Sequence, residues 1–293
     1  MSPELLRGEP VAAPIRERVA DRVTTLRERG TTPTLATVLM SDEPADERFV
    51  ELKHETCADV GIATRDVRLE PDAPTERLYR ELERLGGISA IDAVFVQVPL
   101  PDRVSLAAVR QRLEPTKDVD CLHFENVGRL VAGEPRFVPA TTAAVCRLLS
   151  AYDVPVSGAD VVIIGRSDVI GKPLANRLLQ KRSWGNATVT VCHSRTSDIA
   201  AHTRRAGVVV TAAGTPGVVD GSMLSSGAVV VDVSTNRKPD GDDGVVGDVA
   251  FESAAERASA ITPVPGGVGP LTLAALAENV VRAATQRVGD CQS

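Results

Sequence analysis

One stretch constrains the fold of this chain more than any other: Val161-Val-Ile-Ile-Gly165 runs without a break into Arg166-Ser-Asp-Val-Ile-Gly171-Lys-Pro173. An apolar strand meets a glycine-bearing turn, and a helix follows with Pro173 near its first turn, where a missing N–H is tolerated. Strand, turn and helix in that order aim backbone N–H groups and the positive helix terminus at one point. In doubly wound α/β folds a dinucleotide pyrophosphate sits there. The glycines are spaced Gly165-x5-Gly171 and not GxGxxG, so a purely structural glycine turn stays open beside nucleotide binding.

The following strand selects the nucleotide. In NAD-specific folds an Asp or Glu closing the second strand takes the ribose 2′-hydroxyl. Here Thr188-Val-Thr-Val-Cys-His193 ends in Ser194-Arg195-Thr196, and no carboxylate occurs before Asp198. Ser194 and Arg195, with Arg166 from the first turn, suit a 2′-phosphate through charge-assisted hydrogen bonds. Taken alone, these residues also read as a polar loop facing solvent. Combined with the glycine turn, they point to NADP as cofactor, held by Gly165, Arg166, Ser167, Ser194 and Arg195.

Val11, Ile15, Val19, Val23 and Leu26 recur at helical spacing and predict a helix over 11–29, stopped at Gly30. Strands are expected over 34–40, 63–69 and 90–98, with helices over 44–60 and 75–85 between them. The stretch 104–139 is richer in turn residues and less regular. After a helix over 141–152, a second series carries strands over 160–164, 188–193, 208–212 and 228–233, with helices over 172–180 and near 199–204. A final helix over 271–287 follows the loop Pro263-Val-Pro-Gly-Gly-Val-Gly-Pro270, and Pro239-Asp-Gly-Asp-Asp-Gly244 reads as an exposed turn. Such alternation implies βαβ units and mainly parallel sheets, so the fold class is α/β, in two domains divided near Pro139.

A length of 293 residues fits that division. Aromatics are only 3%, so the cores must be built from Ala, Val, Leu and Ile. The net charge of −6, with no basic tract, argues against nucleic acid as a partner. Cys57, Cys121, Cys146, Cys192 and Cys291 are scattered without a CxxC pair, which suits reduced thiols in a cytoplasmic protein better than disulfides or zinc. No clustered His, Cys and Asp set offers another metal site. With no apolar leader and no run of about 18 apolar residues, neither export nor a membrane is expected.

Several motifs carry a family likeness. Gly165-Arg-Ser-x-x-x-Gly-x-Pro173, Thr188-Val-Thr-Val-Cys-His-Ser-Arg-Thr196 and Pro263-Val-Pro-Gly-Gly-Val-Gly-Pro270 resemble the signatures of the bifunctional methylenetetrahydrofolate dehydrogenase/cyclohydrolase family. Upstream, Val96-Gln-Val-Pro-Leu-Pro101, Lys117-Asp-Val-Asp-x-x-His123 and Asn126-x-Gly-Arg-Leu130 are similar to its substrate domain, in the same order. The resemblance implies an N-terminal α/β catalytic domain over 1–139, completed by a C-terminal helix over 271–293. It implies a Rossmann-type NADP-binding domain over 140–270, a folate substrate held in the cleft between domains, and a homodimer. It also implies catalytic roles for Lys53, Gln97 and Asp120, folate contacts from Phe49, Pro265, Gly266, Gly267 and Val268, and further cofactor contacts from Thr141 and Thr235.

Phe49 and Lys53 are four residues apart, which stacks them on one helical face. By the resemblance, Lys53 reaches the one-carbon unit while the ring at 49 packs beside the folate. Gln97 is expected to orient the lysine, partial burial to lower its pKa, and Asp120 to pair with the donor edge of the pterin. Taken singly, a helical Lys is ordinarily a solvated cation, and a Gln or Asp near a turn a local cap. The ordered match reverses those odds. His123 and His193 lie in motifs where structural roles are expected.

The implied chemistry is oxidation of 5,10-methylenetetrahydrofolate by NADP+ to the 5,10-methenyl cation, then hydrolysis to 10-formyltetrahydrofolate. Against the family pattern, this chain has Phe49 for tyrosine, Cys121 for glycine, Ala140 for cysteine, Ser234 for glycine and Thr235 for isoleucine. Those differences raise two rival expectations: an enzyme with one of the two activities or a modified pterin substrate, and a silent nucleotide- or folate-binding protein.

Overall fold

The computed structural model describes residues 2–238 and 244–290, so most of the turn expected at 239–244, and Cys291, lie outside the described residues. In chain order the elements are β1 (Glu4–Leu5), α1 (Glu9–Glu28), β2 (Thr34–Leu39), α2 (Pro44–Asp59), β3 (Ala63–Arg68), α3 (Thr75–Gly87), β4 (Ala93–Val96), α4 (Leu106–Arg112), α5 (Phe124–Val131) and α6 (Ala140–Ala151). They continue with β5 (Asp160–Ile164), α7 (Gly171–Leu179), β6 (Thr188–Cys192), α8 (Ile199–Thr203), β7 (Val208–Thr211), a 3-10 turn (Gly221–Met223), β8 (Val229–Asp232), β9 (Asn236–Arg237), β10 (Val245–Val246), α9 (Phe251–Ala255), β11 (Ala260–Ile261) and α10 (Val268–Asp290). The chain divides into two units: Ala13–Ala140 with the residues from Leu273 onward, and Thr141–Thr272 with the residues up to Ala12.

The first unit is built on a three-stranded parallel sheet in the order β3-β2-β4, with Leu35 opposite Ala93 and Val38 opposite Val96. Strand β2 is buried along almost its whole length and β4 throughout, as continuous apolar strands covered on both faces should be. Helix α2 begins at Pro44, whose fixed φ suits the first turn, and is followed by Gly61 at φ +80°. Its buried stripe is Asp46, Val50, Lys53 and Cys57, so two charged residues occupy positions where an ordinary helix carries apolar ones. The stretch 104–139, expected to be irregular, contains α4 and α5, each capped by a side chain: Ser105 accepts from Ala108 N–H and His123 from Glu125 N–H.

The second unit holds a six-stranded, all-parallel sheet in the order β1-β11-β8-β7-β5-β6. One face of its core packs Val162, Ile164, Val209, Val230 and Ile261 with scarcely any aromatic help. Residues 2–12 were expected with the first domain, yet β1 pairs in parallel with β11 and Gly8 N–H donates to the Gly266 carbonyl at 2.9 Å. Strand β1 therefore belongs to the second unit's sheet.

Candidate active site and nucleotide site

In the first unit, β2 and β4 end side by side, and a parallel bridge between Val94 and Asp118 brings the Lys117–Asp120 segment alongside β4. Open parallel sheets present their ligand sites at such carboxyl ends. Gln97 immediately follows β4, Ser41 closely follows β2, and α2 carries Asp46, Phe49 and Lys53. Asp118 holds the turn after this segment by accepting from Leu122 N–H, His123 N–H and the Asn126 amide at 3.0, 2.8 and 2.8 Å. Lys117 is turned away from the site, its Nζ donating to the carbonyls of Gly86 and Ile88 at the end of α3, both at 2.7 Å.

Lys53 is 7% exposed. Its ammonium donates to Gln97 Oε1 and to the Phe49 carbonyl, each at 3.1 Å, and lies 4.5 Å from the Phe95 ring centroid and 5.5 Å from that of Phe49. Burial lowers its pKa to about 8, against the pull of Asp120, Asp46 and Cys57. Asp120 goes the other way: burial raises its carboxyl to about 7, while the Ala140 N–H on Oδ1 at 2.9 Å and the Lys53 charge oppose the rise. Of the residues expected here, Phe49, Lys53 and Gln97 are in direct contact and Asp120 is electrostatically coupled to Lys53. Sequence reasoning missed Asp46 and Phe95. Neither was announced locally: Asp46 lies in the first turn of α2, where a carboxylate ordinarily reads as a dipole partner, and Phe95 is one apolar residue among four in β4.

The glycine of the family pattern immediately after Asp120 has a backbone reason. Cys121 holds φ +57°, in the left-handed region that costs a side-chain-bearing residue about 1–2 kcal/mol. Its buried thiol donates to the Phe137 carbonyl at 2.9 Å.

In the second unit, the turn between β5 and α7 is made by two glycines with no room for a side chain. A Cβ on Gly165 (φ +126°) would sit 2.2 Å from the Ala212 carbonyl oxygen, and one on Gly171 2.1 Å from that of Gly165. Ser167 Oγ accepts from Ile170 N–H and Gly171 N–H at 3.1 and 3.4 Å, which winds the turn and leaves its O–H as a donor. The backbone is thus pressed into a cradle at the start of α7, the shape a pyrophosphate requires.

At the adjacent strand end, Gly165 N–H donates to the Cys192 carbonyl, and a tight turn follows in which His193 N–H donates to Thr196 Oγ1 and Arg195 N–H to His193 Nδ1. Arg166, Ser194 and Arg195 are all exposed around this edge. The nearest downstream carboxylate, Asp198, caps α8 by accepting from Ala201 N–H at 2.9 Å. The edge carries cations and a hydroxyl, so it fits a 2′-phosphate. Both expected structural histidines act through Nδ1 as backbone acceptors.

A further organiser was not anticipated. Asp248 is fully buried and takes five hydrogen bonds, from Ala213 N–H, Gly214 N–H, Thr215 N–H, Ser234 Oγ and Asn236 Nδ2. It ties the loop after β7 to the loop after β8, where Thr235 is exposed. Ser234, in place of the family glycine, spends its hydroxyl on this carboxylate. Thr141 is half-buried near the start of α6. In the 263–270 loop Pro265 is exposed, Gly266 takes φ +102°, and Gly267 and Val268 are buried. Among the described residues no group of three or more His, Cys, Asp or Glu side chains is placed to hold a metal.

Known families and structures match the chain in both units. Residues 6–120 match the family described as tetrahydrofolate dehydrogenase/cyclohydrolase, catalytic domain, and residues 139–288 its NAD(P)-binding domain. The bifunctional protein FolD of Haloquadratum walsbyi is 51% identical over 281 residues, covering 96% of this chain and 90% of that protein. The N5,N10-methylenetetrahydrofolate dehydrogenase-cyclohydrolase of Trypanosoma brucei, solved with NADP cofactor and inhibitor, superposes with a TM-score of 0.92 at 38% identity over 98% of this chain and 99% of that one. The bifunctional enzyme FolD of Campylobacter jejuni gives a TM-score of 0.90 at 38% identity, over 97% and 99% of the two chains.

Proposed function

The chain belongs to the tetrahydrofolate dehydrogenase/cyclohydrolase family, and from that premise we propose that Lys53, Gln97 and Asp120 carry its chemistry while the β5–α7 turn and the edge of β6 hold NADP. The enzyme oxidises 5,10-methylenetetrahydrofolate to the 5,10-methenyl form with NADP+ and hydrolyses that product to 10-formyltetrahydrofolate. The observation that carries the reading is the buried Lys53 ammonium, aimed by the Gln97 carbonyl and softened by burial to a pKa of about 8.

NADP+, when bound, accepts the hydride released from the methylene carbon. The chain's own part is binding, orientation and proton handling. Gly165 and Gly171 let the backbone approach the pyrophosphate, and Arg166, Ser194 and Arg195 take the 2′-phosphate. Thr141 and Thr235 contact the cofactor, and Pro265, Gly266, Gly267 and Val268 the folate. The exposed Phe49 ring packs beside the folate, and Asp120 pairs with the donor edge of the pterin. In the hydrolytic step water adds to the methenyl carbon and must lose a proton, while the ring nitrogen gains one as its C–N bond breaks. With a pKa near working pH, Lys53 exchanges protons in either direction without a large driving-force penalty.

The family likeness supports a homodimer. Unpaired Cys57, Cys121, Cys146 and Cys192 support a reducing, cytoplasmic setting, and no helix of the described residues is long and apolar enough to cross a membrane. The test is direct. Purified protein should form NADPH from NADP+ only when methylenetetrahydrofolate is added, and should speed the decay of methenyltetrahydrofolate above its spontaneous rate. Tight NADP binding with neither reaction would sink the reading in favour of a silent binding protein.

A further inference from the structure

Lys53 does not stand alone in the interior of the first unit. Behind it runs a chain of hydrogen bonds: Lys53 Nζ to Gln97 Oε1 at 3.1 Å, Gln97 Nε2 to Asp46 Oδ1 at 3.1 Å, and Ser41 Oγ to Asp46 Oδ2 at 2.7 Å. Ser41 is itself fixed, because its oxygen accepts from the Glu43 N–H at 3.2 Å. The second amide hydrogen of Gln97 goes to the Val98 carbonyl at 3.0 Å.

These partners leave the amide one orientation. Rotated by half a turn, Gln97 would set its oxygen against two acceptors, Asp46 and Val98, and its NH2 against an ammonium. Asp46 is 9% exposed, and a buried carboxylate persists only when hydrogen-bonded and charge-compensated. Here Gln97 and Ser41 supply the bonds, and the first turn of α2 supplies a favourable dipole.

We propose that Asp46 is the positioning residue of this site: its carboxylate, braced by Ser41, fixes the Gln97 amide and through it the direction of the Lys53 ammonium. The proposal rests on the reading of Lys53 as the proton-exchanging group. Asp46 does not touch the folate's reacting atoms; it acts through Gln97. Its charge has a second effect, since Asp46, Asp120 and Cys57 are the groups that support the charged form of Lys53 against burial, with His54 beside it on α2.

The variants Asp46→Asn and Asp46→Ala separate the two effects. Asp46→Asn keeps an acceptor oxygen for Gln97 and removes the charge, so the hydrolysis rate at its optimum should survive while the pH limb belonging to Lys53 moves to lower pH. Asp46→Ala frees the amide to rotate, and kcat should fall on the order of 10- to 100-fold with KM for the folate little changed and NADP affinity intact. A merely structural role would lower thermal stability without moving the pH limb.

An unmoved limb in Asp46→Asn overturns the proposal even if Asp46→Ala fails to fold, and a folded Asp46→Ala with wild-type kcat overturns it as well. Lys53→Ala keeps the two readings apart. If that variant retains hydrolysis, the lysine assignment fails; if it is inactive while both Asp46 variants match wild type, only the positioning role fails.

Discussion

Lys53 and Asp120 are drawn toward neutrality from opposite sides, the lysine down to about 8 and the carboxyl up to about 7. Burial is the largest cause for both, and their mutual attraction restrains each shift. For Asp120 the stability consequence has a definite sign. Its folded pKa lies above the ordinary 3.8, so the folded state binds the proton more tightly, and stability falls as pH rises from about 4 to about 7. Asp120→Asn removes that penalty and still accepts from Ala140 N–H. Relative to wild type, its melting temperature should therefore rise between pH 5 and pH 8, with folate affinity lost. Thermal unfolding at the two pH values checks this, and a constant difference would show that Asp120 carries no such burden. Lys53, Gln97 and Asp120 were legible from the ordered motifs around them. Asp46 was not, because a carboxylate in the first turn of a helix ordinarily reads as a dipole partner, and only burial and the Gln97 contact reveal another use.

Elements position these residues by rules that are partly visible in the sequence. The β5–α7 unit was readable almost to the residue, since an apolar run, two glycines and Pro173 fix strand, turn and helix in succession. The reason for the Gly165–Gly171 spacing appears only in three dimensions, where each glycine faces a backbone carbonyl. Gly171→Ala forces a Cβ toward the Gly165 carbonyl, an overpacking that costs about 1–3 kcal/mol. NADP affinity should drop at least tenfold and the urea midpoint should fall, as calorimetric titration and denaturation would register. Wild-type affinity would mean that the turn does not cradle the cofactor. Asp248 was invisible for the opposite reason. Three of its five donors are backbone N–H groups some 33–35 residues upstream, a pairing no local spacing announces. The short helices α4 and α5 were hidden by the turn residues around them.

At the level of the whole molecule, the α/β class and both parallel sheets followed from alternation of strands and helices. The course of the N-terminus did not, because β1 has two residues and its partner β11 lies more than 250 positions away. On the proposed reading the two units divide the labour: the first holds Lys53, Gln97, Asp120 and Phe49, and the second holds the dinucleotide turn, Ser194, Arg195, Thr235 and the 265–268 loop. Such a division makes the two activities separable by a substitution in one unit. The most direct measurement is therefore Lys53→Ala assayed for NADP binding, NADP+ reduction and methenyltetrahydrofolate hydrolysis side by side. Hydrolysis should be abolished first, NADP should bind as in wild type, and some hydride transfer should persist. Hydrolysis at the wild-type rate would contradict the assignment of Lys53 and of the site built around it.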